Sequence, residues 1–166
     1  MAKIEIEIND AQVTAAFDRI VDISGNPSPL LEAFGNSLEK SIRFCFLRSS
    51  DPYGRPWQPL KVRNGKPLED TGHFRDSFTH AVDVDSVFAG TNAVQAALQN
   101  FGGTIVPKNK EALRFFIGGF PAFASKVTIP ARPMIPNAAE GLPKEWADDL
   151  LSILHDAIEG AITGGK

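Results

Sequence analysis

The chain has 166 residues, a mass of 18.0 kDa and a net charge of −3. Hydrophobic residues make up 43% and charged residues 22% of the sequence, which is typical of a globular protein and excludes wholesale disorder. Its apolar runs are far shorter than the roughly 20 residues that span a bilayer, and its N-terminus lacks the apolar segment of a signal peptide. These features predict a protein with no membrane partner that is made and used in a cytoplasm.

The first 47 residues predict one strand and two helices. Ala2 to Asn9 alternates isoleucine with charged residues, which is typical of a half-buried strand. Asp10 is a suitable N-cap for a first helix, whose apolar face is formed by Val13, Ala16, Phe17, Ile20 and Val21. A second helix begins near Pro29 and runs to about Leu47, with an apolar face formed by Leu31, Phe34, Leu38, Ile42, Cys45 and Phe46. Cys45 is therefore expected to be buried rather than reactive.

Helical periodicity is lost between Ser49 and Thr71, where turn signals dominate. Trp57 lies in this polar stretch, and a tryptophan in such a place usually anchors its loop to the core. The elements that follow are a short helix at 73–78, one or two strands at 79–91 and a brief helix at 93–100. Two further strands are predicted at 113–117 and 126–129, paired across a loop at 118–125.

The C-terminal segment predicts a long amphipathic helix over about 143–162, which begins at Pro143. Its apolar face is formed by Trp146, Leu150, Ile153, Leu154, Ala157, Ile158 and Ile162. No linker divides the chain, so residues 1–166 predict a single α+β domain. We expect a small antiparallel sheet packed against two or three amphipathic helices, including the long C-terminal one.

Charge is unevenly distributed along the chain. Residues 38–66 contain seven basic and two acidic side chains, and residues 140–166 contain six acidic and two basic ones. One interpretation is head-to-tail pairing between copies, for which the candidate side chains are Arg43, Arg48, Lys61, Arg63, Asp148, Asp149 and Asp156. The other interpretation is an ordinary solvated surface. Basic and aromatic residues do not interleave as in a nucleic-acid groove, so nucleic acid is an unfavoured partner.

Signatures of catalysis are weak. Asp70, His73, Asp76 and His80 could form the site of a small metal-dependent hydrolase, but the two histidines are seven residues apart, whereas helical metal ligands usually lie three or four apart. The sequence contains no nucleophile elbow and no phosphate-binding glycine loop. We therefore expect no enzyme, no cofactor and no metal, with the hydrolase as the alternative.

A series of short motifs is more informative. The strings DPYGRPWQPL (51–60), TGHFRDS (71–77), AGT (89–91), FGG (101–103) and IPARP (129–133) occur in this order. The set resembles the phage virion morphogenesis family, the Mu-like and P2-like tail completion proteins, and the broader group of small head–tail joining proteins. The resemblance covers about residues 28–137. Where the family commonly has a His-Gln pair before Phe-Gly-Gly, this chain has Gln99 and Asn100.

The resemblance implies a structural phage protein that completes the tail or joins it to the head. It further implies a homo-oligomeric ring of about six copies, contacts with other tail or neck proteins, assembly in the cytoplasm of the host bacterium and a place in the virion. Tail completion, tail termination and head completion stay open, as does a DNA-contacting adaptor. Aromatic and arginine side chains are favoured at interfaces, and the candidates are Arg55, Trp57, Phe101, Phe120, Phe123 and Arg132. For Trp57 and Phe101, pinning their own loops is the other interpretation.

Overall fold

The computed structural model describes residues 25–61 and 64–162, together with Thr14. The predicted N-terminal strand and the rest of the first predicted helix lie outside the described residues, and so does Arg63.

Helix α1 spans Ser28–Arg48 and is the centre of the fold. It starts where the sequence predicts, because Pro29 suits a first turn and the Asn26 side chain accepts a hydrogen bond from the Ser28 N–H at 3.1 Å. It ends at Ser49, which is left-handed with φ of 52°. Its buried face contains the apolar residues that the helical spacing predicts.

Helix α2 (His73–Asp76) leads into strands β1 (Thr79–Val82) and β2 (Val87–Gly90). The two strands form an antiparallel hairpin in which Thr79 pairs with Gly90 and Val82 with Val87. Both strands pack against α1. The predicted short helix and the two predicted strands are thereby confirmed.

The middle of the chain pairs differently from the prediction. Helix α3 spans Ala96–Phe101, and the strands are β3 (Gly103–Ile105), β4 (Leu113–Ile117), β5 (Phe120–Ala124) and β6 (Val127–Ile129). Strand β4 pairs with β5, and β6 pairs with β3. The predicted pairing of 113–117 with 126–129 was wrong, because the supposed loop contains a two-residue turn and a strand of its own.

Helix α4 spans Lys144–Ile162 and packs on α1 through Trp146, Leu150 and Leu154. These side chains complete a core that includes Phe46, Phe78 and Met134. Burial of each such large side chain contributes roughly 1.5–3 kcal/mol relative to exposure. No helix in the described part of the chain is long and apolar enough to cross a bilayer.

The architecture is α+β, with antiparallel strands and helices that include a long C-terminal one, as the sequence predicts. The single small sheet that we expected is instead three separate two-stranded sheets within the described residues. Only the β1–β2 sheet packs directly on α1. Of the other two sheets, the one formed by β4 and β5 carries two of the candidate functional residues, Phe120 and Phe123.

Candidate functional site

The loop that follows α1 is held in one conformation by Asp51. This buried carboxylate accepts hydrogen bonds from the backbone N–H groups of Tyr53 (2.9 Å) and Arg55 (2.8 Å). Its other oxygen accepts one from Nε of Arg55 at 2.6 Å. The Trp57 N–H donates to the Ser49 carbonyl at 2.8 Å and closes the loop. The loop therefore presents its exposed side chains from a fixed backbone.

Trp57 anchors this loop to the core. Its ring is buried and packs edge-on against Phe46 with the ring centroids 5.6 Å apart. Its indole N–H donates to the Pro133 carbonyl at 2.9 Å. The first motif is thus bound to the last one, and Trp57 contacts its own chain in the way expected of a loop-pinning residue.

Arg132 is also directed inward. The residue is buried, and its Nε and Nη2 both donate to the Gln58 carbonyl at 3.2 and 3.1 Å. Burial lowers the pKa of its guanidinium below the usual value. The sequence predicts an outward contact here, because flanking prolines restrict the backbone. The structure instead uses Arg132 to join two loops, and its contact with a partner stays a prediction.

The FGG and IPARP motifs touch each other directly. Gly102 has φ of +71°, and a Cβ at this position would lie 2.7 Å from the backbone nitrogen of Ala131. Only glycine allows this close approach. Beside it, the Asn100 side chain accepts a hydrogen bond from the Met134 N–H at 2.8 Å. The motifs at 51–60, 101–103 and 129–133 therefore form one connected network, which we call the motif network.

The motif network borders a groove of about 750 Å³ with two exposed candidates on its walls, Arg55 and Phe101. Arg55 bridges Glu140 at 2.7 Å and lies over the Tyr53 ring at 4.8 Å. Its two carboxylate partners, Asp51 and Glu140, raise the pKa of Arg55, and the hydrogen bond with Asp51 has the larger effect. Both candidates are thus held beside one groove, where a partner could contact them together.

Phe120 and Phe123 lie on a protruding hairpin formed by β4 and β5. The turn consists of Gly118 and Gly119, which have φ of +57° and +86°, as a tight two-residue hairpin turn requires. Phe116, Phe120 and Phe123 are 65%, 77% and 66% exposed. The described chain therefore leaves the hairpin's aromatic side chains largely uncovered.

The basic and acidic regions already contact each other within one chain. Arg48 pairs with Glu145 at 3.3 Å, and Arg43 pairs with Glu39 on its own helix at 3.1 Å. On the acidic side, Asp148 pairs with Lys144. Lys61, Asp149 and Asp156 are exposed and have no salt bridge within the described ranges. The pairing of these charges between copies stays a prediction.

The candidate metal ligands do not converge. Both ring nitrogens of His80 contact carboxylates, Nδ1 with Glu39 at 2.7 Å and Nε2 with Glu32 at 2.9 Å. Burial alone would lower the pKa of His80, but the two hydrogen bonds outweigh it and raise the pKa above its ordinary value. Asp76 pairs with Arg75, whose hydrogen bond lowers the pKa of the carboxyl. Residues 25–61 and 64–162 contain no group of three or more His, Cys, Asp or Glu side chains placed to hold a metal.

Residues that the sequence left without a role are among those that hold the site together. Asp51, Asn100 and Gly102 join the motif network, and Glu32 and Glu39 fix His80. A turn signal marks Asp51 in the sequence, since aspartate before Pro-x-Gly favours such a side-chain-to-backbone turn. The partners of His80 are 41 and 48 residues away, so no local pattern marks them.

Comparison with known proteins agrees with the motif resemblance. A model of the phage virion morphogenesis family matches residues 8–159. Mu-like prophage FluMu G protein 2 of Haemophilus influenzae is 34% identical over 134 residues, which cover 80% of this chain and 83% of that protein. No solved structure matches the chain.

Proposed function

This chain belongs to the phage virion morphogenesis family, and on that premise we propose that it completes the tail or joins it to the head. Membership supports a structural role in virion assembly. The finer role is our proposal: a ring of several copies, with about six as the expected number, between the tail and its neighbouring neck proteins. The protein is then assembled in the host cytoplasm and kept in the finished virion.

The observation that carries this proposal is the motif network. Three motifs are joined across up to 76 residues of sequence by hydrogen bonds of Trp57, Asn100 and Arg132. The buried Asp51 fixes the backbone of the first motif. Rigid loops lose little conformational entropy on binding. Arg55 is exposed on the first loop and Phe101 at the end of α3, and both residue types are enriched at interface centres. The arrangement suits a protein that docks onto other proteins.

The alternative, a metal-dependent hydrolase, has less support. Two of its four residues would have to release existing partners, because His80 is hydrogen-bonded to two carboxylates and Asp76 is paired with Arg75. A histidine whose two ring nitrogens are both hydrogen-bonded to carboxylates has no nitrogen left to bind a metal. Addition of divalent metals to the purified protein, followed by thermal unfolding, tests this alternative, and we expect no rise in melting temperature.

A stop codon early in this gene tests the proposed function in the phage or prophage that carries it. We expect electron micrographs of lysates to contain filled heads apart from tails, or tails of abnormal length. The first result would favour tail completion or joining, and the second would favour tail termination. Supply of the intact chain from a plasmid should restore joined particles, which controls for effects on neighbouring genes.

Joined and infectious particles from the stop-codon phage would contradict the proposal. The purified particles offer a second check, since a ring component should remain with them in stoichiometric amount. Its quantity relative to the major tail protein, measured by mass spectrometry, gives the copy number. Loss of the protein from mature particles would indicate an assembly factor rather than a component of the virion.

A further inference from the structure

The β4–β5 hairpin has one face that the described chain leaves uncovered. Cross-strand register places Arg114 opposite Phe123 and Phe116 opposite Pro121. Because side chains alternate across a strand, these four residues share one face, and all four are exposed. Leu113, Phe115 and Ala122 are on the opposite face and are partly covered. The hairpin thus presents an outer face with two phenyl rings, Phe116 and Phe123, while Phe120 at the tip is exposed on the other face.

Such a hairpin is expected to be covered when the protein works. An isolated two-stranded hairpin is marginally stable in water, and the strongest packing of β4 and β5 is with each other. Contiguous exposed apolar patches usually mark an interaction site. The Arg114 guanidinium lies 5.3 Å from the centre of the Phe116 ring, so the face combines apolar area with a positive charge.

The segment that carries the hairpin is basic. Residues 106–126 contain four basic side chains, Lys108, Lys110, Arg114 and Lys126, and one acidic side chain, Glu111. All four basic side chains are exposed, and none is in a salt bridge with another described residue. A partner for this face should therefore be acidic and offer an apolar surface.

The same chain carries such a surface between α1 and α4. A groove of about 690 Å³ is lined there by parts of both helices and of the loop at 50–54. The half-exposed ring of Phe44 forms part of its wall. Its lining includes four acidic side chains (Asp51, Glu145, Asp148 and Asp149) and two basic ones (Arg48 and Lys144). Both basic side chains are already paired with acids of the groove.

We propose that the β4–β5 hairpin of one copy docks into the α1–α4 groove of the next copy. Asp149, which has no ion pair among the described residues, would meet Arg114, and the phenyl rings would pack against Phe44. The inference rests on the proposed function, in that it supplies the contact from which the ring is built. Because the hairpin and the groove are different surfaces, the contact is head-to-tail, and it repeats from copy to copy until a ring closes.

Cysteine cross-linking between two singly substituted chains tests the contact. The stop-codon phage is complemented with Phe120→Cys and Asp149→Cys chains together, and purified particles are oxidised and run on a non-reducing gel. We expect a disulfide-linked dimer, because each reactive thiol is on a different copy. Cys45 should not form a disulfide under these conditions, since burial raises the pKa of its thiol to about 12. Phe123→Cys serves as a second reporter if the first variant does not assemble.

The matched control replaces the hairpin thiol with Val94→Cys, at a side chain that is 98% exposed but far in sequence from the hairpin. Joined particles in which neither hairpin reporter cross-links to Asp149→Cys, or in which Val94→Cys does so equally well, would overturn the inference. Those results would leave the proposed function intact, because the particles are joined. Joined particles from the stop-codon phage with no complementing chain would instead contradict the proposed function itself.

Charge reversal gives an independent test in the same complementation assay. Arg114→Glu should lower the yield of joined particles at least tenfold, and Asp149→Arg in the same chain should restore much of that loss. Asp85→Arg, at an exposed acid in the turn between β1 and β2, is the matched control and should restore none. Full complementation by Arg114→Glu, or equal rescue by the control, would exclude this pairing.

Discussion

Two groups of aromatic side chains in this chain have opposite environments. In the inner group, Phe46 lies edge-on to Trp57, Phe74 and Phe78 at centroid distances of 5.6–5.7 Å. In the outer group, three phenylalanines stand exposed on the β4–β5 hairpin. The same residue type thus closes the core in one region and remains uncovered in the other.

The chain therefore contains more apolar surface than its own fold buries. The inner group contributes to the stability of the single chain, because Phe46, Trp57 and Phe78 are buried without a partner and Phe74 is partly buried. The outer group contributes little to that stability while it is exposed, so its apolar area remains available for association. Substitutions in the two groups should therefore affect different measurements.

The largest expected effect is in the inner group. Phe46→Ala should lower the free energy of unfolding by about 3–5 kcal/mol, because it removes a fully buried ring and leaves a cavity. Phe123→Ala removes the same side chain from an exposed site and should change it by less than about 0.5 kcal/mol. Urea denaturation of the two variants measures both values. A similar loss in the free energy of unfolding in both variants would show that the hairpin packs on the core.

The next effect is expected where α1 packs on the β1–β2 sheet at Gly35 and His80, a contact that we call the α1–β1 seam. A Cβ at Gly35 would lie 2.1 Å from Cδ2 of His80, and the ring cannot move without losing Glu32 or Glu39. Gly35→Ala should therefore cost about 1–3 kcal/mol, although alanine favours a helix by about 1 kcal/mol over glycine.

The control for this seam is His80→Ala, which removes the ring. In that background, Gly35→Ala should become neutral or stabilising, and a double-mutant cycle measures the coupling between the two residues. Additive effects within experimental error would contradict the close contact. Such a result would place the β1–β2 sheet farther from the helix than the structure does.

The same contrast explains what the sequence could predict. Helices α1 and α4 are long and amphipathic, so their 3.6-residue period marks both bounds and buried faces. The β4–β5 hairpin has no such pattern, because apolar side chains occupy both of its faces and Pro121 resembles a loop residue. The Gly118-Gly119 pair between two apolar runs is the signal that could have predicted the turn.

Side-chain direction was harder to predict than backbone structure. Arg132 turns inward because the Gln58 carbonyl, 74 residues away, is available to accept both of its hydrogen bonds. His80, in strand β1, is fixed by two acids of helix α1. Both arrangements depend on contacts that form only after the chain has folded. For this reason the residue types of the site were predictable. Which of these residues are buried and hold the loops together, and which are exposed, was not.

A smaller effect is expected at the motif network, which Trp57 connects to the inner aromatic group. Asp51→Ala should cost about 1–2 kcal/mol, because two backbone N–H groups lose their acceptor. Asp51→Asn keeps one acceptor oxygen and should cost less. Glu140→Gln is the control, since it changes only exposed contacts, the bridge to Arg55 and the hydrogen bond with Asn137, and should leave the melting temperature nearly unchanged. Equal effects of Asp51→Ala and Glu140→Gln would show that the loop does not depend on its buried acid.

The smallest effect is the pH dependence of the α1–β1 seam. The pKa of His80 is raised in the folded chain by Glu32 and Glu39, despite burial, which acts to lower it. A raised pKa means that the protonated ring stabilises the fold below its ordinary pKa of about 6.5. That stability is lost as the pH rises through the folded value.

The other charged groups near the seam are Arg43, paired with Glu39, and Asp76, paired with Arg75. Both pairs are present in wild type and in His80→Gln, so a difference in pH dependence between the two chains belongs to His80. Comparison of wild type with His80→Gln by urea denaturation between about pH 6 and pH 8 isolates it. The gap in stability between the two chains should narrow as the pH rises. A gap that stayed constant would mean that folding leaves the pKa of His80 unchanged, and that its ring is held by packing against Gly35 rather than by charge.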